Sequence, residues 1–286
     1  MELIHSAAEL DAKLEALRET GQTVAFVPTM GALHEGHLSL VHLAKEAADI
    51  TVVSVFVNPL QFGPKEDFDK YPRTLVKDAE ILEAADVDFL FAPSVEDVYP
   101  NGQEITQRAG VIGSTFEGAA RPGHFDGMLT VVNRLFQIVR PDAVVFGEKD
   151  AQQVFMVRKL VGAKFPKTQF IEGPTLRESS GLAMSSRNRF LTEQQRSEAA
   201  EIFRQLSEMK TEFATGAAPS KVIASHCEAL ETSAHTKLEY LAVIDPQIFR
   251  PVDDNFRGAA KIIVAAKVGD VRLIDTMNVN LESESA

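Results

Sequence analysis

His34 and His37 stand three residues apart on either side of Gly36, in the stretch TVAFVPTMGALHEGHLSLVHLAKEAA over residues 23–48. Two imidazoles at that spacing near a helix start can face one ligand. Two solvated histidines would leave both glycines of the loop unexplained. A zinc pair is disfavoured, because zincins place their histidines four apart in His-Glu-x-x-His and the chain has no cysteine-rich partner segment. An anion site uses every residue. Strand formers at 23–27 break at Pro28, a glycine-bearing loop follows, and apolar residues resume at helical spacing from Leu38. Strand, loop and helix in that order aim helix-start N–H groups and the positive end of the helix dipole at the loop, which suits phosphate. Residues 31–38 share the glycine spacing of a Walker A loop. His37 and Leu38 occupy the places of its lysine and hydroxyl residue, so it is not a P-loop.

Two further groups fit the same chemistry. Gly147-Glu148-Lys149-Asp150 closes an apolar run just before a helical pattern. Lys149 there can meet phosphate as a point charge, and Asp150 can orient a ribose hydroxyl or a metal-bound water. Alone this reads as a surface turn. Met184-Ser185-Ser186-Arg187-Asn188 adds two hydroxyls and a guanidinium, and alone it reads as a helix cap. Together with the histidines they supply the donors and cations that phosphoryl or nucleotidyl transfer requires.

These residues need a scaffold that brings distant segments to one edge. After an opening helix, strands are expected at 23–27, 50–57, 87–92, 143–146 and about 168–172, with helical patterns between them, one of these at 75–85. The 50–57 run is apolar on both faces, as in a buried parallel strand. The alternation predicts an α/β fold, a doubly wound (Rossmann-like) parallel sheet. Each strand is followed by a polar or turn-forming segment: PTMGALHEGH, NPLQFGPKEDF, PSVEDVYPNG, GEKDAQQ and GPTLR. In open α/β sheets that carboxyl edge holds the ligand crevice. From Thr192 the pattern changes to helices at 192–216 and 219–233, then strands at 237–244, 259–267 and 271–274, the last two joined as a hairpin at 268–270. The expected organisation is a catalytic domain at 1–180 and a smaller α+β domain at 181–286 that forms a lid, with the boundary segment between 177 and 191.

The chain has 286 residues, 45% hydrophobic and 24% charged, enough for a sizeable core. A formal net charge of −12 argues against nucleic acid or a membrane surface as partner. The single Cys227 excludes a disulfide framework within the chain, and the first 20 residues have no apolar signal core. No run approaches a membrane span. The expected compartment is cytoplasmic.

The ordered set VPTMGALHEGH, SVFVNPLQF, KYPRT, RPGHF, FGEKDAQQ and GLAMSSRN, from about residue 24 to 189, resembles the pantothenate synthetase (pantoate–β-alanine ligase) family. The tail YLAVIDPQIFRPV with VGDVRLID is similar to that family's C-terminal domain. The His-x-Gly-His and Met-Ser-Ser-Arg segments also resemble the two signatures of class I aminoacyl-tRNA synthetases and related nucleotidyltransferases. The second signature is usually Lys-Met-Ser-Lys-Ser; serine and arginine replace those lysines here.

The resemblance implies a ligation in which pantoate is adenylated by ATP and the adenylate is then captured by β-alanine. It assigns ATP to Met30, Gly31, Ala32, Leu33, His34, Glu35, Gly36 and His37, to Gly147, Glu148, Lys149 and Asp150, and to Leu176, Met184, Ser185, Ser186 and Arg187. His37, the family's catalytic residue, and His34 would donate hydrogen bonds to phosphate; Lys149, Ser185, Ser186 and Arg187 would meet the α- and leaving-phosphate charge. Gln61 and Gln153 would bind pantoate, with Asn58 beside pantoate and β-alanine. Met30, Phe62, Val131 and Val132 would enclose the gem-dimethyl group. Mg²⁺ is expected with ATP although the sequence shows no dedicated carboxylate cage, so the metal ligands stay unknown, and a homodimer is implied. Leu176 and Asp275-Thr276 stand where the family more often has valine and Asp-Asn. The competing readings are a nucleotidyltransferase that leaves AMP on a phosphate acceptor and a silent nucleotide-binding regulator. A tRNA synthetase is disfavoured by the acidic balance and the lack of an obvious anticodon-reading domain.

Overall fold

The computed structural model describes residues 1–63, 68, 71–232 and 236–282. Lys70 of the KYPRT motif, residues 64–67 of the loop after the 50–57 run, and Ser233, the expected end of a helix, lie outside the described residues.

Among the described residues the strands form two sheets. The first has the order β1-β4-β3-β2-β5-β6, all parallel: β1 Glu2–Ile4, β2 Val24–Thr29, β3 Ile50–Val55, β4 Phe89–Phe91, β5 Ala143–Gly147 and β6 Gln169–Gly173. Helices α1 Ala7–Glu19, α2 Glu35–Ala47, α3 Leu75–Ala84, α4 Val95–Val98, α5 Glu117–Ala120, α6 His124–Val139 and α7 Ala151–Lys164 fall between the strands. The expected doubly wound sheet is present with one added strand, β1. Ahead of the opening helix, residues 2–4 pair with β4 as an edge strand, and Ser6 caps α1 by accepting from the Glu9 N–H. Helix α6 is the helical element expected between the 87–92 and 143–146 strands, whose bounds the pattern left open.

The central strands are buried on both faces, and the alternating direction of their side chains sets the two layers. Ala25, Val27, Val53, Leu90, Ala143 and Val145 pack with Val41 and Ala44 of α2 and Leu82 of α3. Phe26 and Phe146 face the other way and meet Phe136 of α6 edge-on, with ring centroids 6.2 and 6.3 Å away. Burying a side chain of this size stabilises the fold by roughly 1.5–3 kcal/mol.

The order reverses between β2 and β5, which is the topological switch point where such sheets bind ligands. β2 pairs with β3 along its whole length, up to Thr29↔Val55. With β5 it pairs only at Ala25↔Ala143 and Phe26↔Val144, so the two strands part before their carboxyl ends. On the far side of β5, Gly147 pairs with Gly173, and both lie under Leu40 of α2.

The chain divides into two compact units. One comprises Met1–Gly147 with Met156–Gly173, and the other Glu148–Phe155 with Pro174–Ala286. The second unit holds α8 Glu193–Ala214 and α9 Pro219–Glu231. It also holds an antiparallel sheet of order β10-β9-β7-β8, built from β7 Thr236–Asp245, β8 Arg250–Pro251, β9 Gly258–Val268 and β10 Val271–Leu281. Thr192 caps α8 in a reciprocal pair with Gln195, as its position before the helical pattern predicted. Leu206, Met209 and Phe213 of α8 share a core with Ile262, Val264 and Ala266 of β9. The β9–β10 hairpin turns at Gly269-Asp270, and β10 runs seven residues beyond the expected end at 274.

Candidate active site

The turn from β2 into α2 is built around the two histidines. His34 is the N-cap in extended conformation, and its Nδ1 accepts from the Gly36 N–H at 3.1 Å. His37 answers from the third helical position, its Nδ1 accepting from the His34 N–H at 3.3 Å. This is a capping box with imidazoles in place of the usual Ser/Thr and Glu/Gln. The ring centroids are 4.1 Å apart. An Nδ1 that accepts is unprotonated, so in each neutral ring the proton sits on Nε2. Each imidazole thereby turns a helix-start N–H into a donor one ring farther out. The helix dipole polarises these donors toward negative charge.

Backbone amides of the turn are already partnered. Gly31 N–H donates to Thr29 Oγ1 at 3.1 Å, and Ala32 and Leu33 N–H donate to Asp78 Oδ2 and Oδ1 at 3.0 and 2.8 Å. His37 N–H donates to the His34 carbonyl at 2.7 Å. The imidazoles are themselves the reciprocal cap of α2, which gives the histidine types and their spacing a structural reason.

A second cluster follows β3. Asn58 caps the 3₁₀ turn Pro59–Gln61, with its Oδ1 accepting from the Leu60 N–H at 3.2 Å and from the Tyr99 hydroxyl at 2.8 Å. Its Nδ2 donates to Gln61 Oε1 at 3.2 Å and to the Gly127 carbonyl at 3.1 Å. That fixes the Gln61 carboxamide with Nε2 as its donor end, 2.8 Å from Met30 Sδ. The expectation of loop-borne groups is refined here, because Asn58 and Gln61 are buried, at 1% and 6% exposure. Burial raises the Tyr99 phenol well above its ordinary value, so it stays a donor to Asn58. His124, from the RPGHF motif, donates from Nδ1 to the Gln61 carbonyl at 2.9 Å. Val131 and Val132 are buried on α6, and Phe62 stacks edge-on against Phe68 and Tyr71.

The third cluster lies in the second unit. Lys149 Nζ donates to the Met184 carbonyl at 3.3 Å, and the Met184 N–H donates to the Leu176 carbonyl at 2.9 Å. Glu148 accepts from the Thr175 N–H at 3.0 Å and from Asn278 Nδ2 at 2.9 Å. Ser185 caps the 3₁₀ turn Ser186–Phe190, accepting from the Arg187 N–H at 3.2 Å. The hairpin before Met184 is clasped by Arg177, which forks onto Asp275 at 2.6 and 3.0 Å and lies over the Phe203 ring. Asp275, distant in sequence from the MSSR segment, thus helps to hold the strand that leads into it. Burial pushes the Asp275 carboxyl above its ordinary value, and the Arg177 fork, the Thr276 amide and the Lys149 charge oppose the shift.

Of the residues singled out from sequence, Met30 to His37 form one turn, and Met30 meets Gln61. Glu148, Lys149, Leu176, Met184 and Ser185 are linked within the second unit. Gly147 ends β5, while Asp150 and Gln153 sit at the start of α7. Asp78, Tyr99 and Arg177 were not anticipated. A lone acid in a helix's first turn and a tyrosine after a short helix carry no sequence signal of what they grip, although the KYPRT motif ends at Thr74, whose hydroxyl bonds to Asp78.

A family model described as pantoate-beta-alanine ligase matches residues 2–278. The pantothenate synthetase of Acidothermus cellulolyticus is 49% identical over 257 residues, covering 89% of this chain and 84% of that protein. That of Chlorobaculum tepidum is 45% identical over 277 residues, covering 96% and 98%. Among solved structures, the pantothenate synthetase of Thermus thermophilus superposes with a TM-score of 0.90 at 42% identity, covering 97% of this chain and 99% of that one. The pantoate-beta-alanine ligase of Francisella tularensis, solved in complex with beta-gamma ATP and beta-alanine, gives a TM-score of 0.79 at 36% identity, covering 97% of each chain. With the imidazole cap at the sheet's switch point and the motifs in their order, this chain belongs to the pantoate–β-alanine ligase family.

Proposed function

We infer that this chain is an ATP-dependent ligase that joins pantoate to β-alanine, giving pantothenate, AMP and pyrophosphate through a pantoyl adenylate. The observation that carries the reading is the reciprocal His34–His37 cap, which fixes both rings with Nε2 as the donor nitrogen at the head of α2. In the first step a pantoate carboxylate oxygen attacks the α-phosphorus and the bond to pyrophosphate breaks. Negative charge grows on the bridging oxygen as it leaves. His34 and His37 donate to phosphate oxygens without full proton transfer, and Lys149, Ser185, Ser186 and Arg187 meet the α- and leaving-phosphate charge. In the second step the β-alanine amine attacks the acyl carbon, the amine loses a proton, and AMP departs. Binding both reactants in position removes much of the entropic part of the first barrier.

Gln61 and Gln153 are assigned to the pantoate hydroxyl and carboxylate, and Asn58 to pantoate and β-alanine. The Tyr99–Asn58–Gln61 chain orients the first carboxamide so that its NH₂ is the donor offered to the acid. Gln61→Ala is expected to raise the KM for pantoate roughly 5- to 150-fold, as loss of a buried hydrogen-bond partner does, with the KM for ATP changed much less. Steady-state kinetics with each substrate varied in turn checks this; unchanged pantoate dependence would move the acid elsewhere.

Mg²⁺ enters with ATP as the counter-ion of its phosphates. Among the described residues no three His, Cys, Asp or Glu side chains converge as a metal-holding group, and both oxygens of Asp78 are engaged by the 30–33 loop. A cytoplasmic homodimer is the assembly the family resemblance supports. No helix among the described residues is long and apolar enough to cross a membrane.

The reaction order is tested by exchange. With pantoate and no β-alanine, labelled pyrophosphate is expected to enter ATP, because the adenylate forms before the amine is needed. Absence of exchange where the full reaction runs would refute a separate, reversible first step. Equal yields of AMP, pyrophosphate and pantothenate exclude transfer of AMP to a phosphate acceptor.

A further inference from the structure

Asp78, in the first turn of α3, is 1% exposed, yet its carboxylate accepts three hydrogen bonds. Two come from the Ala32 and Leu33 N–H groups at 3.0 and 2.8 Å, and the third from the Thr74 hydroxyl at 3.1 Å. We propose that Asp78 is a positioning residue for adenylation: it grips the loop before the histidine cap and so sets where the two imidazole donors stand against the nucleotide.

The backbone makes this grip necessary. Gly31 and Ala32 are both left-handed, at φ 81° and 53°. With the chain turned in this way, the neighbouring Ala32 and Leu33 N–H groups reach the two oxygens of one carboxylate. Alanine rarely adopts that conformation, and it persists where surrounding contacts over-determine it. The anion that meets these amides is a side chain of the same chain. A Cβ added at Gly31 would stand 2.9 Å from Asp78 Oδ2 and 2.9 Å from Val55 Cγ1, so the loop is closed tightly around the carboxylate. Leu33 leads directly to His34, the cap. Asp78 therefore keeps two loop amides from competing for phosphate and leaves that task to the imidazoles, whose position it fixes through one peptide unit.

The inference rests on assigning residues 30–37 to ATP. Asp78→Asn is nearly isosteric, but its NH₂ faces one of the two amides donor to donor. It is expected to slow single-turnover adenylate formation about 10- to 100-fold, as displacement of a reacting group by a remote change can do, and to raise the KM for ATP. The KM for β-alanine, measured from preformed adenylate, should stay within about twofold. Thr74→Val removes only the supporting hydroxyl and should lower adenylation about 2- to 10-fold; it decides the matter if the asparagine variant does not fold. Folded variants that adenylate within twofold of wild type, even with a lower melting temperature, would make Asp78 a brace of the core and overturn the inference. His37→Glu, run in parallel, separates the two failures. If it is slow while the Asp78 and Thr74 variants are not, only the role of Asp78 falls. If it adenylates normally, the assignment of the loop to ATP has failed.

Discussion

Glutamate in place of His37 is expected to leave the fold standing while slowing pantoyl adenylate formation by at least roughly 10²–10³-fold, the scale of losing one preorganised donor. The two effects separate because His37 has two ring nitrogens in two roles. Nδ1 takes the His34 N–H and completes the cap of α2. Glutamate is a usual residue at that helical position, reaches the same N–H, and suits the positive end of the helix. Stability should therefore change by less than about 0.5 kcal/mol, as for tolerated surface substitutions. Nε2 has no counterpart in glutamate, which also sets a negative charge against the phosphates. Thermal unfolding and single-turnover adenylation on the same preparation check both halves. Lost stability with a retained rate would reduce His37 to a cap.

The second large effect concerns Lys149. Lys149→Ala is expected to slow adenylation roughly 10²–10³-fold, about 2.7–4 kcal/mol, with a smaller fall in ATP affinity, since the leaving pyrophosphate carries more negative charge in the transition state than in bound ATP. The structure favours a held charge over a solvated one. Glu148 is tied to Thr175 and Asn278, and the ammonium meets the Met184 carbonyl at the entrance to the MSSR segment. Capture of preformed adenylate by β-alanine should be slowed less, because no pyrophosphate leaves in that step. A surface lysine would leave both half-reactions within about twofold of wild type. An unchanged adenylation rate would remove Lys149 from the catalytic set.

Much of the scaffold could be read from residue pattern. Continuous apolar runs such as 50–57 announced buried parallel strands, and Thr192 marked the start of α8. Strand β1 escaped because three residues beside a capped helix carry too little periodicity. Helix α6 combines Gly127 with the β-branched run Thr130-Val131-Val132, which weakens its propensity, although Met128, Val132, Leu135 and Val139 do keep helical spacing. Within the candidate site, the histidines and Lys149 could be singled out by residue type and position, whereas Gln61 entered only through the family resemblance. Asp78 and Tyr99 were not legible, since their importance lies in what they grip across 40 or more residues of sequence.

Leu40 follows His37 by one helical turn and fills the space above Gly147 and Gly173. A methyl group at Gly173 would come within 2.3 Å of Leu40 Cδ2 and 3.0 Å of Leu43 Cδ1. Making room would require Leu40 to rotate or α2 to lift from the strand ends, and the second response would carry the imidazole with it. A bare backbone position in β6, with no reactive group of its own, thus acts as a spacer gauge for an imidazole more than a hundred residues earlier, and the chemistry constrains a site that no inventory of functional groups would include.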